Sequence, residues 1–161
     1  MDERVALSRY GVRMVGALLA VSAASNSAQE IETDADWSVE NLGPAVNSRF
    51  RDRFSVVTSD GLSLYFASNR PTDGSEVPQP WDIYVAWRDS VDEPFGEAVN
   101  IGPVVNSPYD DHSASLSPDG LTMYFASERP GGCGAQDLYI SRRTDPTDHL
   151  SWSEPENLGC E

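Results

Sequence analysis

The sequence predicts an all-β chain assembled from four-stranded antiparallel units that repeat along its length. Three observations carry this reading. Residues 117–130, S-P-D-G-L-T-M-Y-F-A-S-E-R-P, have a near twin at 59–71, S-D-G-L-S-L-Y-F-A-S-N-R-P. Asp60-Gly61 and Asp119-Gly120 lie 59 residues apart, as do Asn41 and Asn100, and about half of positions 41–71 recur at 100–130 without a gap. The chain of 161 residues holds 12 glycines and 11 prolines, which favours many turns, and nothing after residue 28 shows a helical period.

Residues 1–28 stand apart from this pattern. Arg4, Arg9 and Arg13 precede a short apolar run, residues 14–21, and then a stretch of small residues. That layout predicts a secretory signal helix, since the apolar run is too short to span a bilayer. The expected location is therefore periplasmic or secreted. Residues 29–36 read as an acidic linker. Residues 37–161 hold the repeats, with units at about 37–94 and 95–151 and the start of another at 152–161.

The phrase at 37–48, which contains Asn-Leu-Gly and Val-Asn-Ser, returns at 95–107 and begins again at 152–159. Each unit then resolves into four strands. In the first they fall at 53–58, 62–68, 82–86 and 95–101. In the second they fall at 112–117, 121–127, 137–141 and 152–158. Residues 37–42 are a flanking outer strand that precedes them. The Asp60-Gly61 and Asp119-Gly120 pairs supply turn chemistry, because aspartate bonds its local backbone and glycine accepts positive φ. Leu121, Met123 and Phe125 share one strand face, and Thr122, Tyr124 and Ala126 the other. With Tyr124 on one side and Phe125 on the other, both faces are expected to be covered. Four antiparallel strands at such a period predict the blades of a β-propeller, here a partial one of two blades plus the flanking strand.

The quoted phrases also resemble a known family. W-S-x-P-x-N-L-G, V-N-S, S-P-D-G-L-T-M-Y-F-A-S-x-R-P-G-G and D-L-Y-I-S-R-R are similar to the WD40-like β-propeller repeat of TolB-like bacterial envelope proteins. The resemblance covers residues 37–161 and is weaker in the first unit, where Ser59 replaces the proline and Arg70-Pro71 lacks the following glycines. It implies a blade fold used for binding and scaffolding. Two blades leave an outer face on each side. Missing blades, or other copies of the chain, are expected to cover them, and the sequence reads as a fragment of a longer protein.

The functional expectation is a non-catalytic scaffold that binds an envelope protein or an extracellular ligand. The alternative is part of a propeller hydrolase acting on glycans or peptides, or an accessory module of a larger surface enzyme. The formal net charge of −15, with arginine as the only basic residue besides histidine, argues against nucleic acid as a partner. No cofactor is expected. Asp52 with Arg70, and Asp111 with Arg129, are expected to lie close and to pin a loop onto each sheet. Asp110-Asp111-His112 offers metal-ligand chemistry, but neighbours on a strand point to opposite faces, and the first unit has Arg51-Asp52-Arg53 there. His149 reads as solvated. Trp37, Phe95 and Trp152 recur with the repeat and read as packing between blades. Trp81, in the long loop at 70–81, is a candidate contact for a partner. The ligand-bearing loops are expected at 41–52, 70–81, 100–111 and 130–136. Cys133 and Cys160 lie in the exported part, and a disulfide between them is left open.

Overall fold

A computed structural model describes residues 39–160. The signal helix, the acidic linker and Trp37 lie outside the described residues. Eight strands follow in order: β1 (Asp52–Val57), β2 (Ser63–Ser68), β3 (Asp82–Trp87), β4 (Val99–Asn100), β5 (Asp111–Leu116), β6 (Thr122–Ser127), β7 (Asp137–Arg142) and β8 (Glu156–Asn157). They form two four-stranded sheets, β1-β2-β3-β4 and β5-β6-β7-β8, every pairing antiparallel. The architecture is all-β, with two propeller-like blades.

The β1–β2 and β5–β6 hairpins are built alike. Asp60 Oδ1 accepts from the Leu62 N–H at 2.9 Å, and Asp119 Oδ1 from the Leu121 N–H at 3.0 Å. Gly61 and Gly120 follow at φ 75° and 70°, a conformation that disfavours a Cβ. Both first strands then bulge. The β1–β2 register shifts between Arg53 and Val56, and the β5–β6 register between His112 and Ser115. The bulges place Phe54 and Ser113 at φ 56° and 58°, unusual for residues with side chains.

The outer strands are shorter than the sequence suggests. Residues 95–101 and 152–158 contribute only two-residue pairings, Val99–Asn100 and Glu156–Asn157. Elsewhere they follow the third strand through isolated bonds, such as Gly96 N–H to Trp87 O at 2.9 Å and Ser153 N–H to Arg142 O at 2.8 Å. The Ala98 N–H turns instead to the Ala45 carbonyl in the preceding loop, and Pro155 has no N–H to give. Residues 39–42 form no strand. They correspond to β4 and β8, yet among the described residues no third strand precedes them for pairing.

The sheets pack face to face. Tyr65, Ile83 and Val85 of the first meet Met123, Phe125 and Tyr139 of the second, with Ile101, Val105 and Trp152 closing the core. Trp152 stands edge-on to Tyr65, ring centroids 6.3 Å apart. A second cluster, Val46, Leu64, Phe66, Tyr84, Ala86 and Phe95, covers the other face of the first sheet. All of β2 is therefore buried. The expectation that both faces of 121–127 are covered holds for Phe125 but not for Tyr124, which is exposed. Its counterpart Tyr65 is buried because the second sheet lies on it, and no described residue covers Tyr124 in the same way.

Candidate functional site

The repeated charge pairs build the frame at one end of the sheets. Arg70 Nη2 lies 2.8 Å from Asp52 Oδ1, and Arg129 Nη2 lies 2.9 Å from Asp111 Oδ1. Each guanidinium also donates to a carbonyl of the incoming loop, Val46 for Arg70 and Val105 for Arg129, and to a serine at the end of its own strand, Ser68 or Ser127. The second carboxylate oxygen accepts from the N–H and hydroxyl of Ser48 or Ser107. The identical bonding in both units ties the connecting loop to the sheet.

Asp110, Asp111 and His112 take separate partners. Asp110 accepts from the Trp81 N–H at 2.9 Å, Asp111 holds Arg129, and His112 meets Gln136 and stacks on Phe54 at 5.0 Å. Trp81 is half-buried between the sheets. Its ring stands edge-on to Phe54, and the Arg53 guanidinium lies 4.0 Å from its centroid. Its backbone joins the sheets as well, since its carbonyl accepts from the Asp111 N–H at 2.6 Å.

A cavity lies at the opposite end from the loops singled out in the sequence. It is an open cleft of about 620 Å³ whose walls include Asp60, Trp87, Arg88, Asp89, Asp148 and His149. Trp87 ends β3, Asp60 sits in the β1–β2 turn, and Asp148 and His149 come from the β7–β8 connection, so both sheets contribute. The Trp87 and His149 rings stack at 4.8 Å with 29° between their planes. His149 is therefore half-buried against tryptophan rather than free in solvent on all sides, and its carbonyl accepts from Trp152 Nε1 at 3.0 Å.

Two arginines anchor the cleft. Arg88 Nε donates to the Gly61 carbonyl at 3.0 Å and its guanidinium lies over Phe95. Arg143 Nε donates to the Gly120 carbonyl at 2.8 Å, and its Nη1 reaches the Asp148 carbonyl and the Tyr65 hydroxyl. Burial and the Arg143 charge push the His149 pKa below its ordinary value, against the pull of Asp148, Asp60 and Asp145, so the imidazole is neutral at pH 7. Burial raises the Asp60 carboxyl, but bonds from Thr58 and Leu62 outweigh it and hold Asp60 below its usual range. The cleft therefore joins an aromatic wall to an ionised carboxylate, with Asp89 and Asp148 at its rim. That chemistry suits a flat or cationic group.

Sequence reasoning missed this cleft because Trp87 and His149 do not occupy equivalent repeat positions. A signal was present: Arg88 and Arg143 are equivalent, and each stands at the start of the connection that builds a wall. Comparison with protein-family models and with curated proteins finds no match.

Proposed function

We propose that the chain is an exported, TolB-like propeller scaffold that binds a partner protein through the acidic, aromatic cleft between its two sheets. The Trp87–His149 stack, formed across both sheets and flanked by Asp60, Asp89 and Asp148, carries the reading. A tryptophan face beside carboxylates accommodates an arginine or lysine side chain, which stacks and pairs at once. The charge of −15 favours approach of basic segments from a distance. Export is supported by the layout of residues 1–28 and by the Cys133–Cys160 disulfide, which belongs to an oxidising compartment.

The test titrates the full chain with a capped arginine-containing pentapeptide and with its citrulline counterpart, following tryptophan fluorescence and calorimetry. The arginine peptide should bind more tightly. Trp87→Ala should weaken it roughly tenfold, as loss of one cation–π contact of about 1–2 kcal/mol requires. Glu76→Gln, at the exposed Arg49–Glu76 pair remote from the cleft, should leave affinity unchanged. Equal binding of the two peptides, or equal loss in both variants, would overturn the proposal.

A further inference from the structure

The two units hold one aspartate–asparagine pair in two different states. Asp82 and Asp137 begin β3 and β7 and face Ser68 and Ser127 in register. Asn100 and Asn157 lie opposite Tyr84 and Tyr139 in the outer strands. Each asparagine Oδ1 accepts from the N–H of a following glycine, Gly102 at 2.9 Å and Gly159 at 2.8 Å, which leaves Nδ2 as the end to be satisfied. In the first unit Asn100 Nδ2 donates to Asp82 Oδ2 at 2.7 Å. In the second, Asn157 Nδ2 is buried without a partner. Asp137 Oδ2 accepts instead from the backbone N–H groups of Cys133 and Gly134, at 2.9 and 3.3 Å.

The disulfide accounts for the difference. The loop between β2 and β3 contains no cysteine, whereas the loop between β6 and β7 is tied through Cys133 to Cys160, just past β8. That link holds the loop against the outer strand and brings its N–H groups to Asp137. A buried donor left unpaired is costly, so the oxidised arrangement carries a penalty that the first unit avoids. The acceptor that would relieve it is close. A Cβ placed on Gly132 would overlap Asp137 Oδ2 and lie 3.2 Å from Asn157 Nδ2, so the carboxylate and the amide border the same point. Cys133 and Cys160 are both exposed, open to a reductant from solvent.

We propose that the Cys133–Cys160 disulfide is a redox latch whose release passes Asp137 from the loop to Asn157. The reductant is a dithiol. One of its thiolates attacks a cysteine sulfur, and the other cysteine leaves as a thiolate and takes up a proton. The second thiol of the reductant then resolves the mixed disulfide, so the reductant is oxidised to its own disulfide and both cysteines become thiols. The freed loop gives up Asp137, whose carboxylate turns to Asn157 Nδ2 and forms the bond seen between Asp82 and Asn100. The same loop carries Gln136, whose amide meets His112 Nε2 at 2.9 Å, and His112 stacks on Phe54 of the first sheet. The change therefore reaches the seam between the sheets, at the end remote from the cleft.

The test equilibrates the full chain with set ratios of reduced to oxidised dithiothreitol and counts free thiols by alkylation and mass spectrometry. Asn157→Ala removes the bond made only in the reduced chain. It should raise the ratio needed for half-reduction about tenfold, the worth of one hydrogen bond to a charged acceptor. Gly132→Ala crowds Asp137 out of its oxidised position and should lower that ratio. NMR of the nitrogen-labelled wild-type chain gives the direct readout. On reduction the Asn157 side-chain amide protons should move downfield and the Cys133 and Gly134 amides should lose exchange protection, with the far-ultraviolet circular dichroism unchanged. The Cys133→Ser, Cys160→Ser double variant should show the reduced spectrum without reductant. Should Asn157→Ala fold poorly, the wild-type spectra decide alone. A disulfide that is only a staple would give wild type and Asn157→Ala the same half-reduction ratio, or leave the Asn157 amide unmoved on reduction, and either result overturns the proposal. Loss of the second sheet on reduction overturns it as well.

Discussion

Arg143, just past β7, donates from Nη1 to the hydroxyl of Tyr65 in β2, 3.1 Å away, and so joins one sheet to the other through a buried, charged hydrogen bond. Tyr124 holds the equivalent place in β6 without such a partner among the described residues. Tyr65→Phe should therefore lower stability by about 1–2 kcal/mol, the worth of a hydrogen bond to a charged donor that keeps a second acceptor. Tyr124→Phe should change it by a few tenths of that at most, on the order of 0.3 kcal/mol. Urea unfolding with an unchanged slope checks both, and equal effects would contradict the asymmetry.

The buried ion pair of the second unit should matter more than its twin. Asp111 is fully buried, whereas the Asp52 side chain is 12 % exposed. Asp111→Ala removes the only carboxylate, among the described residues, paired with the largely buried Arg129 guanidinium, leaves the Ser107 N–H without its acceptor, and should cost about 3 kcal/mol or more. Asp52→Ala should cost less. A double-mutant cycle of Asp111 with Arg129 should show strong coupling.

Asp52 also gives a pH signature. Burial pushes its carboxyl up, but hydrogen bonds from Ser68, Arg70 and Ser48 outweigh burial and hold it below 3.8. The unfolded chain therefore binds the proton first. The stabilisation is present above pH 3.8 and is lost as pH falls through the lower folded value. Asp52→Asn should flatten the acid limb of the stability curve.

Asp82 acts in the opposite sense. Burial pushes its pKa up to about 6, Asn100 opposes this, and Asp111 and Asp110 add to it. The folded chain holds the proton between 3.8 and about 6, so stability falls as pH rises through that window. Asp82→Asn should be more stable than wild type at neutral pH by on the order of 1 kcal/mol, after discounting for partial solvent exposure. The gain should vanish near pH 4. His149 works the other way, since its lowered pKa makes stability rise with pH towards 6.5. Asp82→Asn measured in a His149→Leu background separates the two.

Cys133 and Cys160 form a disulfide across a sequence separation of 27, with Cα atoms 5.3 Å apart. Closing a loop of that size stabilises by about 3.5 kcal/mol in the chain-entropy account. Reductant, or Cys160→Ser, should lower the urea midpoint accordingly. Alkylation followed by mass spectrometry should find no free thiol before reduction.

The inner strands were legible in the sequence because each carries its own evidence. The alternation in Leu121–Ser127 and the Asp-Gly turns locate β2 and β6 to within a residue of their observed starts. The outer strands were read too long because their pairing depends on a neighbour and on competing acceptors such as Ala45. The Asp–Arg pairs could be placed from antiparallel geometry alone, which brings the start of β1 beside the end of β2. The cleft was not legible. Trp87 and His149 meet only through the packing of one sheet on the other, and no local pattern in the chain encodes that angle. Asn157 escaped for a related reason. Its counterpart Asn100 donates to Asp82, whereas Asp137 turns to the N–H groups of Cys133 and Gly134, leaving Asn157 Nδ2 buried without a partner.

The disulfide also changes how the molecule would bear a mechanical load. Cys133 precedes β7 and Cys160 follows β8, so both strands lie inside the covalent loop. A pull applied at Cys160 passes through the sulfurs to Cys133 and on to the end of β6, bypassing β7 and β8 entirely. Under tension the second sheet would resist peeling from its outer edge and would have to yield by shear of β5 against β6. Reduction would restore the softer route, in which β8, held by only two paired residues, unzips first.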